Sequence, residues 1–184
     1  VISSDTKTLT EHSDLVLGHV ATSSAENLTA LRTWRTQQGA IPGPMEVWLA
    51  HRSLATLPLR LSRQCASAQA IADYLVSLEV ATVNYPGLPQ HPDHVTAKNQ
   101  MHAFGSVVGF DLDTRARAEG FLRSLRVVRE ATSFGGVHST AERRARWGGD
   151  EISEGYIRLS VGCESPEDLI ADLGDALRAP GRTG

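Results

Sequence analysis

Ser4-Asp5-Thr6-Lys7 sets two hydroxyls and one amine within a single tetrapeptide, in a polar loop that follows a short β-like run from Val1 to Ser4. Hydroxyls three positions and one position before a lysine can donate to a phosphate while the amine condenses with a nearby aldehyde. That is what a phosphorylated aldehyde cofactor asks of a lysine loop. An isolated lysine of this kind is ordinarily a solvated one. The composition narrows the choice, because of the 18 basic residues only Lys7 and Lys98 are lysines.

Arg158 interrupts the otherwise apolar run Tyr156-Ile157-Arg158-Leu159-Ser160-Val161. A guanidinium there is either a surface residue or a bidentate receptor for a carboxylate, aimed into a cleft. Alternation alone leaves both readings open. His12-Ser13-Asp14 holds the residue types of a hydrolytic triad, but adjacent side chains cannot point inward together and triads assemble from distant segments. His91 and His94 have loose metal-ligand spacing, with no cysteine or third histidine nearby, so a zinc site is not expected. Gly135-Gly136 and Gly148-Gly149 match neither the dinucleotide fingerprint nor the P-loop and read as turns or close backbone approaches. Arg143-Arg144-Ala145-Arg146 reads as a solvated loop or helix face.

The elements that must position these groups belong to a chain of 184 residues, 41% hydrophobic, with 21 acidic against 18 basic side chains. This describes one soluble domain or one and a half, able to fold without a disulfide or metal staple. A net charge of -3 with the signs interspersed offers no stripe for nucleic acid and no cationic face for a membrane. The longest apolar stretches fall far below the roughly 20 residues that span a bilayer, and no signal-peptide pattern opens the chain. Cys65 and Cys163 lie far apart without a CxxC pattern and read as reduced thiols in a cytoplasmic protein.

Leu15 to Val20 reads as a buried strand, and Asn27 to Gln38 as a helix stopped by Gly39. Helical spacing runs from Met45 through Leu75, with a break or kink near Leu57 enforced by Pro58. Beyond Ser77 strands are expected at Val80–Tyr85, Val107–Leu112, Val127–Thr132 and Tyr156–Val161. Helices are expected near His94–Ala103, Thr114–Leu125 and Pro166–Arg178, the last capped by Ser165 with Asp168 completing a capping-box variant. Residues 80–184 therefore read as a small α+β domain, and residues 1–79 as the end of something larger.

Taken together, the segments resemble the cysteine and methionine metabolism family of pyridoxal phosphate enzymes, the cystathionine γ-lyase and γ-synthase group. Ser4-Asp5-Thr6-Lys7 followed by His12-Ser13-Asp14 is similar to the family's S-x-T-K…G-H-S-D signature. Arg52 to Arg60, Val83-Asn84-Tyr85-Pro86-Gly87-Leu88-Pro89-Gln90-His91-Pro92, Ser133-Phe134-Gly135-Gly136-Val137 and Ile157-Arg158-Leu159-Ser160-Val161-Gly162 continue the match in order.

The resemblance implies an α/β fold, the C-terminal half of the type I (aspartate-aminotransferase-like) architecture. Residues 1–79 would complete the large cofactor domain, and 80–184 would form the domain that closes over substrate. It further implies pyridoxal 5'-phosphate held by Lys7 as a Schiff base, its phosphate bound by Ser4 and Thr6, and the substrate α-carboxylate received by Arg158 with help from Ser133. The expected activity is carbon–sulfur lyase chemistry on cystathionine or a related sulfur amino acid, by γ-elimination or γ-replacement. A methionine γ-lyase, a sulfhydrylase and a non-catalytic half-subunit are the rivals.

Motifs of the family's N-terminal half are not found in the sequence. The expected partner is that half, as a separate chain or a missing segment, in a tetramer-like assembly. Three departures bear on substrate. Glu11 stands where the family usually has glycine, and Thr132 stands where enzymes acting on cystathionine commonly have glutamate. His138 takes another common glutamate position.

Overall fold

A proline and a glycine delimit the helices of the first third of the chain. Gly39 ends helix α1 (Ala25–Gln38) in the left-handed conformation, φ 69°, and Ser24 begins it by accepting from the backbone N–H of Asn27. Pro44 opens helix α2 (Pro44–Leu54). Pro58 lies in the first turn of helix α3 (Leu57–Ser77), where its missing N–H costs nothing, so two separate helices form around the expected break.

The protein is described here by a computed structural model covering residues 1–78, 82–149 and 151–179. It divides into two compact units, Val1–Leu57 and Pro58–Gly184. The domain boundary expected at 79/80 lies outside the described residues, as do Val80 and Ala81 of the expected strand there.

In the first unit, strands β1 (Ile2–Ser4) and β2 (Gly18–Val20) pair antiparallel, Ser3 opposite His19. The expected buried strand over Leu15–Val20 is thus shorter and more exposed. Only its last three residues pair, and Val16 is 84% exposed. Leu17 instead spends its backbone on the lysine loop: its carbonyl accepts from the N–H groups of Asp5 and Thr6. Helix α1 buries none of its residues within the described chain.

The second unit is a five-stranded sheet in the order β3-β4-β7-β6-β5. Its strands are β3 (Thr82–Asn84), β4 (Val107–Asp111), β5 (Arg129–Glu130), β6 (Thr140–Arg143) and β7 (Tyr156–Ser160). Only the β5–β6 pair is parallel. Helices α4 (His94–Gln100), α5 (Arg115–Ser124) and α6 (Pro166–Arg178) complete it. The apolar stripe of α3, Ala68, Ile71, Ala72 and Leu75, joins Phe110 and Val108 of β4, Ile157 and Leu159 of β7, and Leu169 and Leu173 of α6 in one core. Fully burying each of the larger side chains contributes about 1.5–3 kcal/mol.

Strand β6 was not expected. The reading of Arg143–Arg146 as a solvated loop or helix face is corrected: Arg143 ends a strand and is 7% exposed, and only Arg144–Trp147 forms a 3₁₀ turn. Thr140-Ala141-Glu142-Arg143 lacks an alternating apolar signature, and its burial comes from pairing with β7. Strand β5 is shorter than the expected Val127–Thr132 because side chains take its flanking backbone groups. The N–H groups of Arg126, Val127 and Val128 donate to Asp172, and the carbonyl of Thr132 accepts from Arg158.

Candidate active site

The lysine loop of the first unit is pinned from beneath. Thr6 Oγ1 donates to the Leu17 carbonyl at 3.2 Å and accepts from the Leu17 N–H at 3.0 Å. Thr10 Oγ1 donates to the Asp5 carbonyl at 2.6 Å, and Asp5, 4% exposed, sets its Oδ1 2.6 Å from His19 Nδ1. Lys7 is thereby carried, half-buried, on a turn whose next left-handed residues are Glu11 (φ 45°) and Ser13 (φ 59°). Left-handed backbone is where glycine is at ease and a side chain is not. Glu11 therefore keeps a glycine-like turn at the cost of local strain. The Ser4 hydroxyl is exposed and makes no hydrogen bond to the described residues.

The second unit presents Arg158 from β7, the middle strand, opposite Gly109 on β4 and Glu142 on β6. Gly109 leaves room for the Tyr156 hydroxyl, which a Cβ there would push aside. The Arg158 side chain is 21% exposed. Its Nη2 donates to the Thr132 carbonyl at 2.5 Å and stands 2.5 Å from Glu142 Oε1, and its guanidinium lies 5.0 Å from the Phe134 ring centroid. Burial pushes the Arg158 guanidinium below its ordinary value; Glu142 opposes that shift and Arg144 reinforces it. The group remains a cation at neutral pH.

The loop from Ser133 to Gly136 is held against this strand. Gln64 Nε2 donates to the Gly136 carbonyl at 2.8 Å, the Gly135 N–H donates to Ser160 Oγ at 2.8 Å, and Thr140 Oγ1 donates to the Ser133 carbonyl at 2.8 Å. Thr132 and Ser133 are exposed. A cleft of about 300 Å³ opens beside Arg158, lined also by Asn84, Pro86, Gly109, Arg144 and Tyr156. His138 is 64% exposed with Nδ1 3.9 Å from Glu164. His91 and His94 are taken up locally, by Asn84 Oδ1 and the Pro86 carbonyl.

Each unit thus gathers its own set. Ser4, Thr6 and Lys7 share one loop, and Arg158 on the middle strand β7 reaches the Thr132 carbonyl of the Thr132-Ser133 segment that follows the edge strand β5. Sequence reasoning missed Glu142, fully buried against Arg158. The only available signal was one acid beside three arginines, Arg143, Arg144 and Arg146.

The family model described as Cys/Met metabolism PLP-dependent enzyme matches residues 1–178. The chain belongs to that family. A protein of Streptomyces coelicolor provisionally named cystathionine gamma-lyase is 56% identical over 177 residues, covering 96% of this chain and 45% of the relative. A cystathionine beta-lyase of Lactococcus lactis is 40% identical over 188 residues, covering 96% of this chain and 50% of the relative. The crystal structure of a cystathione gamma lyase from Micromonospora echinospora superposes with a TM-score of 0.92 at 39% identity, covering 97% of this chain and 50% of that one. The chain spans about half the length of these relatives. Its fold is the C-terminal half of the type I architecture.

The family is pyridoxal-phosphate-dependent. The donor set of the first unit fits that cofactor in part: a primary amine on a braced loop and an open hydroxyl three residues before it suit an aldehyde bearing a phosphate. The Thr6 hydroxyl is already engaged as both donor and acceptor by Leu17. Among the described residues, no helix is long and apolar enough to cross a membrane.

Proposed function

We propose that this chain is the C-terminal half of a carbon–sulfur lyase that acts on cystathionine or a related sulfur amino acid by γ-elimination or γ-replacement, working with an N-terminal half. In this reading residues 1–79 complete the cofactor domain and 80–184 close over the substrate.

Lys7 would hold pyridoxal phosphate through Nζ, with Ser4 Oγ donating to the phosphate and Thr6 bracing the turn against Leu17. When bound, the cofactor supplies an electron sink for carbanions at the substrate Cα and then Cβ. Lys7 Nζ takes the proton from Cα and returns protons along the chain as the γ-substituent leaves. Arg158 would bind the α-carboxylate, with help from the Ser133 hydroxyl. The single observation that carries the assignment is the position of Arg158: a partly desolvated guanidinium on the middle strand, at the wall of an open cleft. A role in solvation alone gives no reason for that burial.

Thr132 favours a second substrate class. It offers no charge for a distal ammonium, so thioether amino acids lacking one, methionine among them, fit the same site. The experiment is to assemble this chain with a family N-terminal half, supply the cofactor, and follow thiol release from cystathionine and from methionine. Release from either supports the lyase reading, and release from neither overturns it. The isolated 184 residues should bind the cofactor weakly, since the groups that would hold its ring are expected in the N-terminal half.

A further inference from the structure

We infer that Glu142 is a resident carboxylate that occupies Arg158 until a substrate carboxylate displaces it. This rests on the reading of Arg158 as the carboxylate receptor. A guanidinium has two edges able to grip a carboxylate with paired hydrogen bonds, Nε with Nη2 and Nη1 with Nη2, and both include Nη2. In this structure Nη2 donates to the Thr132 carbonyl at 2.5 Å and is in ion-pair contact with Glu142 Oε1, also at 2.5 Å. A second carboxylate gripping either edge must therefore take its place at Nη2 against these two neighbours.

Glu142 is the contact that can be given up. It is fully buried, yet its two hydrogen bonds come from elsewhere: Arg144 Nη1 donates to Oε1 at 3.1 Å and Trp147 Nε1 donates to Oε2 at 3.0 Å, while Arg158 adds an ion-pair contact. A buried carboxylate left without partners is costly, whereas one that keeps a guanidinium and an indole N–H is not. The 3₁₀ turn over Arg144–Trp147 therefore acts as a cradle that keeps Glu142 satisfied when Arg158 turns to substrate. Arg144 and Arg158 both line the cleft, so an incoming anion meets guanidinium donors there. An incoming carboxylate on Arg158 would also face Glu142 across the same cation, where like charges repel through a medium that screens little.

The test is Glu142→Gln in the cofactor-loaded enzyme, with propionate as probe because it has no amine to react with the cofactor. Calorimetric titration should show propionate binding about tenfold tighter than in the unmodified enzyme, and the gain should vanish in Glu142→Gln/Arg158→Gln. Equal or weaker binding by Glu142→Gln overturns the inference and leaves Glu142 as a residue that merely orients Arg158. Arg158→Gln binding propionate as well as the unmodified enzyme overturns instead the receptor reading, and this inference with it. Should Glu142→Gln fail to fold, the crystal structure of the unmodified holoenzyme with propionate decides. Arg158 released from Glu142, with Arg144 and Trp147 still in place, supports displacement; an intact Arg158–Glu142 contact beside bound propionate overturns it.

Discussion

Asp5 Oδ1 and His19 Nδ1 stand 2.6 Å apart, and the contact ties the lysine loop to strand β2. Asp5 is buried, so its carboxylate depends on that imidazole for a partner that water would otherwise supply. His19→Ala should lower stability by roughly 1–3 kcal/mol, read as a fall in the urea midpoint. The same variant should slow covalent capture of the cofactor by Lys7, because the loop loses an anchor two residues before the amine.

Borohydride reduction of the cofactor-loaded protein should fix the cofactor on Lys7 as a stable secondary amine, located by peptide mapping. Lys98 is the other lysine of the chain and sits on α4 in the second unit. Label on Lys98, or on a lysine of the partner half, would refute the assignment of the loop.

Arg158→Lys should weaken substrate binding at least tenfold, about 1.4 kcal/mol or more, while the visible band of the bound cofactor persists. An ammonium cannot hold the Thr132 carbonyl and grip a substrate carboxylate with the geometry of a planar fork. Unaltered kinetics would make Arg158 a structural strand residue.

Thr132→Glu should shift preference toward cystathionine, whose distal ammonium gains a charge-assisted partner, by about ten- to thirtyfold in the ratio of kcat/KM to that for a thioether amino acid without the amine. If the ratio stays where it was, Thr132 does not face the distal end of the substrate.

Asp172 accepts the N–H groups of Arg126, Val127 and Val128 at 2.8, 3.0 and 3.0 Å. Asp172→Asn turns one acceptor into a donor facing donors and should cost roughly 1.5–3 kcal/mol, measured by thermal or denaturant unfolding. Retained stability would show that solvent can replace the carboxylate at that turn.

What the sequence made legible was local chemistry. Ser165, Pro166 and Asp168 announced α6, and its structure follows, with Ser165 accepting from the Asp168 N–H and Leu169 and Leu173 buried. Pro58 separated α2 from α3 for the reason its ring imposes. What stayed hidden was decided across the sheet. Glu142 and Arg143 read as surface charge because nothing in Thr140–Arg143 alternates, and only pairing with β7 buries them. The strand expected from Val127 to Thr132 is cut short by Asp172 and Arg158, residues 44 to 46 and 26 positions away that claim its backbone groups. The site motifs were legible through resemblance, but the engagement of the Thr6 hydroxyl by Leu17 was not, since it depends on how the loop folds back on itself.

The sheet order places Arg158 on the middle strand and leads Thr132 and Ser133 out of β5, a two-residue strand at the sheet's margin. A mid-sheet position is held by ladders on both sides, whereas a two-residue marginal strand is held by a ladder on one. The group that every amino-acid substrate shares is thus assigned to the part of the sheet least free to drift. In the proposed reading, the residues that would tell one side chain from another sit outside the ladders, tied in mainly by the Arg158 and Thr140 side chains, so mutation there can retune selectivity without touching the strand that carries Arg158.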